Sequence, residues 1–536
     1  MRMARFRTLI ALLVGVGTAL ALVLSPTSAQ TPAPRQGGTL SIAWNIVGVG
    51  SMDPKEARAT LNWLVGKHVL DPLARLDPKT GKPMPALAKS WTVAPDGKSI
   101  TYVLRDDVVF HDGTRFDADV AKFNLDRFAE KDAFSYTLMG GDDYVGTEVI
   151  NRDTIRITWK RPQGFWWETQ AYRIGFHSPA AVRAAGPDYG FKVMIGTGPF
   201  KMVRYVERTE IAMERFAQYR WGSPIYKHSG PAYLDTLIFR SVGEPTTRLA
   251  SLERGEVQFI EGQQLQHVYA DVGKRPGFAS AINLKAGTTR ALHLNPNRPP
   301  LNDLNVRKAI AHAINREVLV KAPRYSSLAK VAFGTVAGKN WEPYSLDEFK
   351  PFNYGYDPTK SRALLEEAGW KRGPDGIRVK EGKRLEIEAV EPAIFLPEIQ
   401  PFQAMLAEVG IDMKIRIVDL GTWFSIMERR QVDIVLRSRS GPGLLFGIED
   451  WACQFPDSPS GLCNPELDRI VDQLKVTMDQ NKKFDLARRA QRIILLSATG
   501  IPVVDEYYPW LMRDSVKDVF YPFDSWPRFY DTWLAR

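Results

Sequence analysis

PALAKSWTVAPDGKSITYVLRDDVVFHDGTRFDADV, residues 85 to 120, is the stretch whose reading decides the fold. Pro85 turns the chain into a short apolar segment, Ala86-Leu87-Ala88, that leads to Trp91. Asp96-Gly97 makes a tight turn, because glycine takes positive φ without steric cost. Ile100, Tyr102 and Leu104 alternate with Thr101, Val103 and Arg105, which predicts a strand with one buried face. His111-Asp112-Gly113 marks a second turn, and Asp117 or Asp119 caps a helix that begins near Val120. His111 beside Asp112 can be read as half of a catalytic pair, but a polar turn between strand and helix accounts for both residues.

In order, Pro85 to Ala88, Trp91, Asp96-Gly97, Leu104-Arg105, Phe110 to Gly113 and Ala118-Asp119-Val120 resemble the N-terminal lobe of a known class. The class is the peptide/nickel/opine periplasmic solute-binding proteins of ABC transporters (family 5, dipeptide/oligopeptide-binding-protein-like). Gly37 to Leu40, Asp53-Pro54, Asp71 to Arg75, Gly196 to Phe200, Leu249 to Val257 and Asp303 to Arg316 match the same pattern, and the resemblance runs to about Tyr508. Two glycines in Gly196-Thr197-Gly198 invite a phosphate-cradle reading. No Lys-Ser/Thr follows at the spacing of a P-loop, so a turn before a strand is the better one.

The resemblance implies an α/β fold of two lobes, the periplasmic-binding-protein fold of class II (cluster C) type, with mixed sheets and an extra subdomain in lobe I. A ligand is enclosed between lobes that close about a hinge. The implied division is a signal peptide over 1–29, lobe I over 30–289 with a subdomain at roughly 55–190, lobe II over 290–502, and a return to lobe I over 503–536. Thr289 to Asn295 and Gly500 to Val504 are the expected crossing segments. Within lobe II, strands at Leu385 to Ala389, Met413 to Ile417 and from Val432 alternate with helices, which predicts parallel crossovers. The partners it implies are a small-molecule ligand and the permease subunits of an ABC importer, served by a monomeric receptor without a cofactor.

Arg2, Arg5 and Arg7 precede an uncharged apolar run from Leu9 to Leu24, and Thr27-Ser28-Ala29 supplies small residues for cleavage. This is the pattern of an export signal cut after Ala29, which leaves Gln30 first and places the mature protein in the periplasm. The run is short for the ~20 residues of a spanning helix. The formal charge of +10 falls by three, to +7, when those arginines leave. The remaining lysines and arginines are scattered, and no dense basic stripe marks a nucleic-acid surface. Cys453 and Cys463 lie ten positions apart in a Pro-, Ser- and Gly-rich stretch, and export makes a disulfide their natural state.

The seven histidines are dispersed, and the sequence contains no H-E-x-x-H, G-x-S-x-G or G-x-G-x-x-G. Binding is therefore preferred to catalysis. An exported hydrolase built on a carboxylate pair and a chaperone-like peptide binder are the other classes kept open.

Asp433 to Trp451, DIVLRSRSGPGLLFGIEDW, departs from the pattern. Peptide-binding members of the class place an aromatic and then an acid here, the acid holding the ligand's α-amino group. Arg439 takes the aromatic position and Pro442 the acidic one, so that anchor is missing. Arg437 and Arg439, two apart on a strand, point to one side. They are expected either to hold an anionic group of the ligand or to be neutralised by Glu449, Asp450 or another acid. Trp44, Trp423 and Trp451 follow or flank strand ends that could face the cleft, and Asn295 lies on a crossing segment; these complete the candidate ligand-binding residues.

Overall fold

The computed structural model describes residues 33–45, 50–56, 63, 65–322, 325, 328–342, 344–455 and 458–536. The expected export signal and its cut after Ala29 lie outside the described residues.

In the first lobe, β1 (Thr39–Trp44) is buried from Leu40 onward, as a strand covered on both faces must be. A separate antiparallel sheet follows, from β2 (Ala88–Val93), β3 (Ser99–Leu104), β4 (Tyr144–Asn151) and β5 (Thr154–Trp159), in the order β2-β3-β5-β4. Ile100, Tyr102 and Leu104 of β3 and Ile155, Ile157 and Trp159 of β5 are all buried, as their period-two spacing predicts. Between the two hairpins, α1 (Ala118–Phe128) starts two residues earlier than expected, because Asp117 is its cap and accepts from the Val120 N–H at 3.0 Å. The helix α2 (Trp166–Arg173) leads to β6 (Phe200–Val206), β7 (Glu210–Arg215), β8 (Thr236–Ser241), β9 (Phe259–Glu261) and β10 (Phe278–Leu284).

Further along the chain come β11 (Arg290–Leu294), α3 (Leu304–Ala313) and β12 (Ala329–Val331). Then come β13 (Glu386–Pro392), α4 (Leu396–Glu408), β14 (Asp412–Val418), α5 (Leu420–Glu428) and β15 (Ile434–Arg437). Strand β13 runs parallel to both β14 and β15, so the strand–helix–strand pattern read from the sequence gives the parallel unit it requires. After α6 (Pro465–Val476) comes α7 (Gln480–Leu496). The Asp479 carboxylate caps it by accepting from the Lys482 N–H.

The expected return strand at Gly500 to Val504 is the first part of a 14-residue strand, β16 (Gly500–Arg513). Its start pairs with β11 and its end with β9 and β10. It thereby joins a 12-stranded sheet whose main path is β14-β13-β15-β11-β16-β9-β1-β8-β7-β6, with β10 and β12 also paired to β16.

Three motif stretches of the first lobe meet at one junction. Backbone Gly198 N–H donates to Val69 O at 2.8 Å, and His111 N–H donates to Gly196 O at 3.0 Å. A Cβ on Gly196 would lie 2.1 Å from Val69 O, and one on Gly198 2.6 Å from Val69 C, so both glycines are needed for close backbone approach. Beside them Asp71 accepts from Arg75, Thr197 and Trp221, at 2.6, 3.3 and 3.2 Å.

His111 is fixed in one neutral form at this junction. Its Nε2 is 2.9 Å from Gly198 O, which only accepts, and its Nδ1 takes the Gly196 N–H at 3.3 Å. A second ring proton would destroy the latter bond. Burial pushes the imidazole down to about 4, and the bond to Gly198 O and the charge of Asp112 oppose it only in part. The folded form therefore binds fewer protons than the unfolded chain between pH 6.5 and about 4. Stability falls as pH drops through that window, by up to about 1.4 kcal/mol per unit from this residue. NMR of histidine-labelled protein should show His111 as the Nε2–H tautomer, titrating near 4. A midpoint above 6 would contradict the assignment.

Candidate functional site

The end of β15 carries the two arginines singled out above. Ile434, Val435 and Leu436 bury the strand, and Arg437 and Arg439 follow on one side. Their guanidinium groups converge, but on a carboxylate of the protein. Arg439 Nη1 lies 2.7 Å from Asp450 Oδ1 and 3.0 Å from Glu449 Oε1, and Arg437 Nε lies 3.8 Å from Asp450 Oδ2. The neutralising alternative therefore describes this arrangement, and charge balance here does not call for a ligand anion. The Arg439 guanidinium also lies over Phe446 and Phe455, with centroids at 5.0 and 4.4 Å. Burial raises the Asp450 carboxyl, but Arg437, Arg439 and His293 outweigh it and hold the group below its ordinary value.

The segment after Asp450 is held by the expected disulfide, Cys453–Cys463. Within its loop Ser458 Oγ donates to Asp450 O at 2.7 Å. Arg430 donates to Cys453 O at 2.5 Å and reaches towards both sulfurs. The disulfide thus steadies the segment that presents the acids to Arg439.

The other sequence-predicted site residues each have partners within the protein's own packing. Trp44 is stacked on Trp526 at 5.5 Å and meets Trp510 edge-on. Trp451 is fully buried and stacks on His293, with centroids at 4.4 Å. Trp423 donates to Val390 O and packs against Met427 and Val432. Asn295 donates to the carbonyls of Arg430 and Val432, which tie β11 to the turn before β15. Each side chain had a partner within the fold that sequence spacing does not reveal.

A cavity opens instead between α2, the C-terminal segment and the loop after β15. Lys67, Arg75, Tyr172, Asp524 and Arg528 line it, together with Pro442. The cavity measures about 30 Å³, room for roughly one water. Its charged lining escaped the sequence reading because Asp524 and Arg528 lie beyond the recognised motifs. The Asp71–Arg75 spacing, four apart, was the one available signal.

A second contact closes the same junction. Gly164 N–H donates to Lys475 O at 2.7 Å, and Lys483 Nζ donates to Gly164 O. A Cβ on Gly164 would lie 2.2 Å from Thr477 O. Phe165 is 8% exposed and sits in a hydrophobic cluster whose other members lie between Ala291 and Leu495. Tyr172 Oη adds a bond of 3.2 Å to Ser440 O.

Among the described residues no group of three or more His, Cys, Asp or Glu side chains is placed to hold a metal ion, and no helix is long and apolar enough to cross a membrane.

The sequence profile of the bacterial extracellular solute-binding proteins, family 5 Middle, matches residues 82–444. The match takes in more than half of the chain, and the chain belongs to that family. A relative is the glutathione-binding protein GsiB of Escherichia coli (strain K12), 29% identical over 481 residues, with 86% of this chain and 88% of the relative covered. Among solved structures, NikA from Brucella suis in complex with Fe(III)-EDTA superposes with a TM-score of 0.79 at 23% identity, covering 93% of this chain and 100% of NikA. The periplasmic binding protein DppA from Helicobacter pylori, in complex with the peptide STSA, gives 0.77 at 22% identity, with 94% and 99% covered. The two-lobed fold is thus the fold of periplasmic binding proteins.

Asp450→Asn removes the carboxylate on which the guanidinium groups of buried Arg437 and half-buried Arg439 depend. It is expected to lower unfolding stability by about 3–5 kcal/mol, measured by urea denaturation. Lys122→Ala, which breaks a half-exposed pair with Asp126, should cost less than about 1 kcal/mol. An Asp450→Asn cost as small as that of Lys122→Ala would show that the arginines have another counter-charge.

Proposed function

We propose that this chain is an extracytoplasmic receptor that captures a small solute between its lobes and delivers it unchanged to the permease subunits of an ABC importer. The solute is peptide-like, opine-like or another anionic compound. The observation that carries this reading is the junction itself. A charged cavity lies between the lobes, and Phe165 of the first lobe is seated in the core of the second. A cavity of about 30 Å³ is far below the ~300–1,000 Å³ of a small-molecule site, so a solute enters only when the lobes part. Residues 34–536 pack as one compact unit, as a closed receptor does.

In this reading lobe I comprises 30–289 and 503–536, lobe II comprises 290–502, and the protein works as a monomer in the periplasm. Membership of a solute-binding family supports binding over catalysis, and the glutathione named for the relative makes small peptides the first solutes to try. The missing acid at Pro442 argues against anchoring an α-amino group there in the manner of the class. Arg437 and Arg439 act by positioning the loop from Ser438 to Asp450 rather than by pairing directly with the solute.

Intact mass of periplasmic material should correspond to a chain beginning at Gln30, lighter by two hydrogens until reduced. Gly164→Val places a side chain where Thr477 O must dock. It is expected to enlarge the particle in X-ray scattering with solute present and to weaken solute binding at least tenfold, about 1.4 kcal/mol. A variant as compact and as tight-binding as the parent would contradict closure through this contact. Turnover of the solute, rather than its recovery unchanged, would favour an enzyme.

A further inference from the structure

The first-lobe wall of the cavity is built from an ion network that does not balance. Asp524 lies 3.0 Å from Lys67 Nζ and 2.6 Å from Arg528 Nη2, so one carboxylate serves two cations. Arg75 pairs with Asp71 at 2.6 Å. Lys67, Arg75 and Arg528 thus face two acids, and all five side chains are buried. A buried cation is costly unless it is paired and hydrogen-bonded, and with all five groups ionised the network is one negative charge short. A second observation points the same way. Arg75 Nε is buried without a hydrogen-bond partner among the described residues, although its Nη2 is engaged by Asp71. An unmet N–H beside a surplus cation calls for an anionic oxygen.

Resting on the receptor reading above, we infer that this wall is the seat of a carboxylate of the solute, taken by Lys67 and by the unmet N–H of Arg75. The first lobe holds the seat ready-made, since Lys67, Arg75, Tyr172 and Arg528 all belong to it and only Pro442 comes from across the cleft. The apolar flank suits a solute attached through one end. Lys67 already lies 4.4 Å from the centroid of the Tyr172 ring, and Phe523 completes that side. Burial, with Arg528 and Arg75 nearby and Asp524 opposing, pushes the Lys67 ammonium down to about 7. An incoming carboxylate would supply the charge that keeps it protonated. A carboxylate fits two such donors because its two oxygens can meet both at once.

The test uses matched probes on the full mature chain: reduced glutathione against its diethyl ester, and Ala-Ala against Ala-Ala amide, by thermal shift and calorimetry. Each free acid is expected to bind at least tenfold tighter than its neutral partner. Lys67→Met should abolish that preference while keeping the fold, since Asp524 retains Arg528; circular dichroism and melting report the fold. Arg75→Lys keeps the pair with Asp71 but removes the Nε donor, and it should reduce the preference. Acid and neutral probes binding alike, or Lys67→Met keeping the full preference, would overturn the seat while leaving the receptor intact. A co-purified solute with phosphate as its sole anion would overturn the carboxylate assignment. If no probe binds and no solute co-purifies, the receptor reading fails, and the seat with it.

Discussion

The buried carboxylate of Asp71 is the point on which both fold and site depend. It gathers Arg75, Thr197 and Trp221 around one charge, and each partner belongs to a different stretch of the first lobe. Thr197 brings the glycine turn against Val69, where close approach forbids any larger residue. Trp221 closes the other side. Arg75, held by the same carboxylate, is thereby set into the cavity wall with one N–H left over. A structural ion pair and the proposed binding surface are thus parts of one network.

The second lobe solves a comparable problem differently. Arg437 is buried and Arg439 half-buried at the end of β15, and withdrawing such groups from water without counter-charge would cost several kcal/mol per ion. Asp450 and Glu449 supply that charge, and the Cys453–Cys463 disulfide steadies the segment that carries them. The loop facing the cavity, from Ser438 through Pro442, is therefore supported from behind by a neutralised cluster. Charge is spent internally in the second lobe and left in surplus in the first.

What the sequence made legible followed from local rules. Alternation at Ile100, Tyr102 and Leu104, caps at Asp117 and Asp303, and the succession of strands and helices after Leu385 all reflect short-range constraints, and the elements form where those constraints place them. A helix start moved by two residues where a capping carboxylate lay ahead of the apolar stripe, at Asp117. The candidate site was less legible because it depends on long-range pairing. Trp44 could be seen to end a strand, but not that Trp510 and Trp526 would enclose it. The convergence of Arg437 and Arg439 was readable from their spacing, whereas the direction from which Asp450 approaches was not. Lys67, Asp524 and Arg528 come together across more than 450 positions, and no periodicity reports such a contact.

The central claim is that the solute lies between the lobes with its charged end on the first-lobe wall. A crystal structure of the protein with its co-purified solute tests this most directly. The account predicts a solute enclosed between Tyr172 and Pro442, with carboxylate oxygens within hydrogen-bond distance of Lys67 Nζ and Arg75 Nε. A solute bound outside this junction, or one enclosed there with only uncharged groups against Lys67 and Arg75, would contradict it.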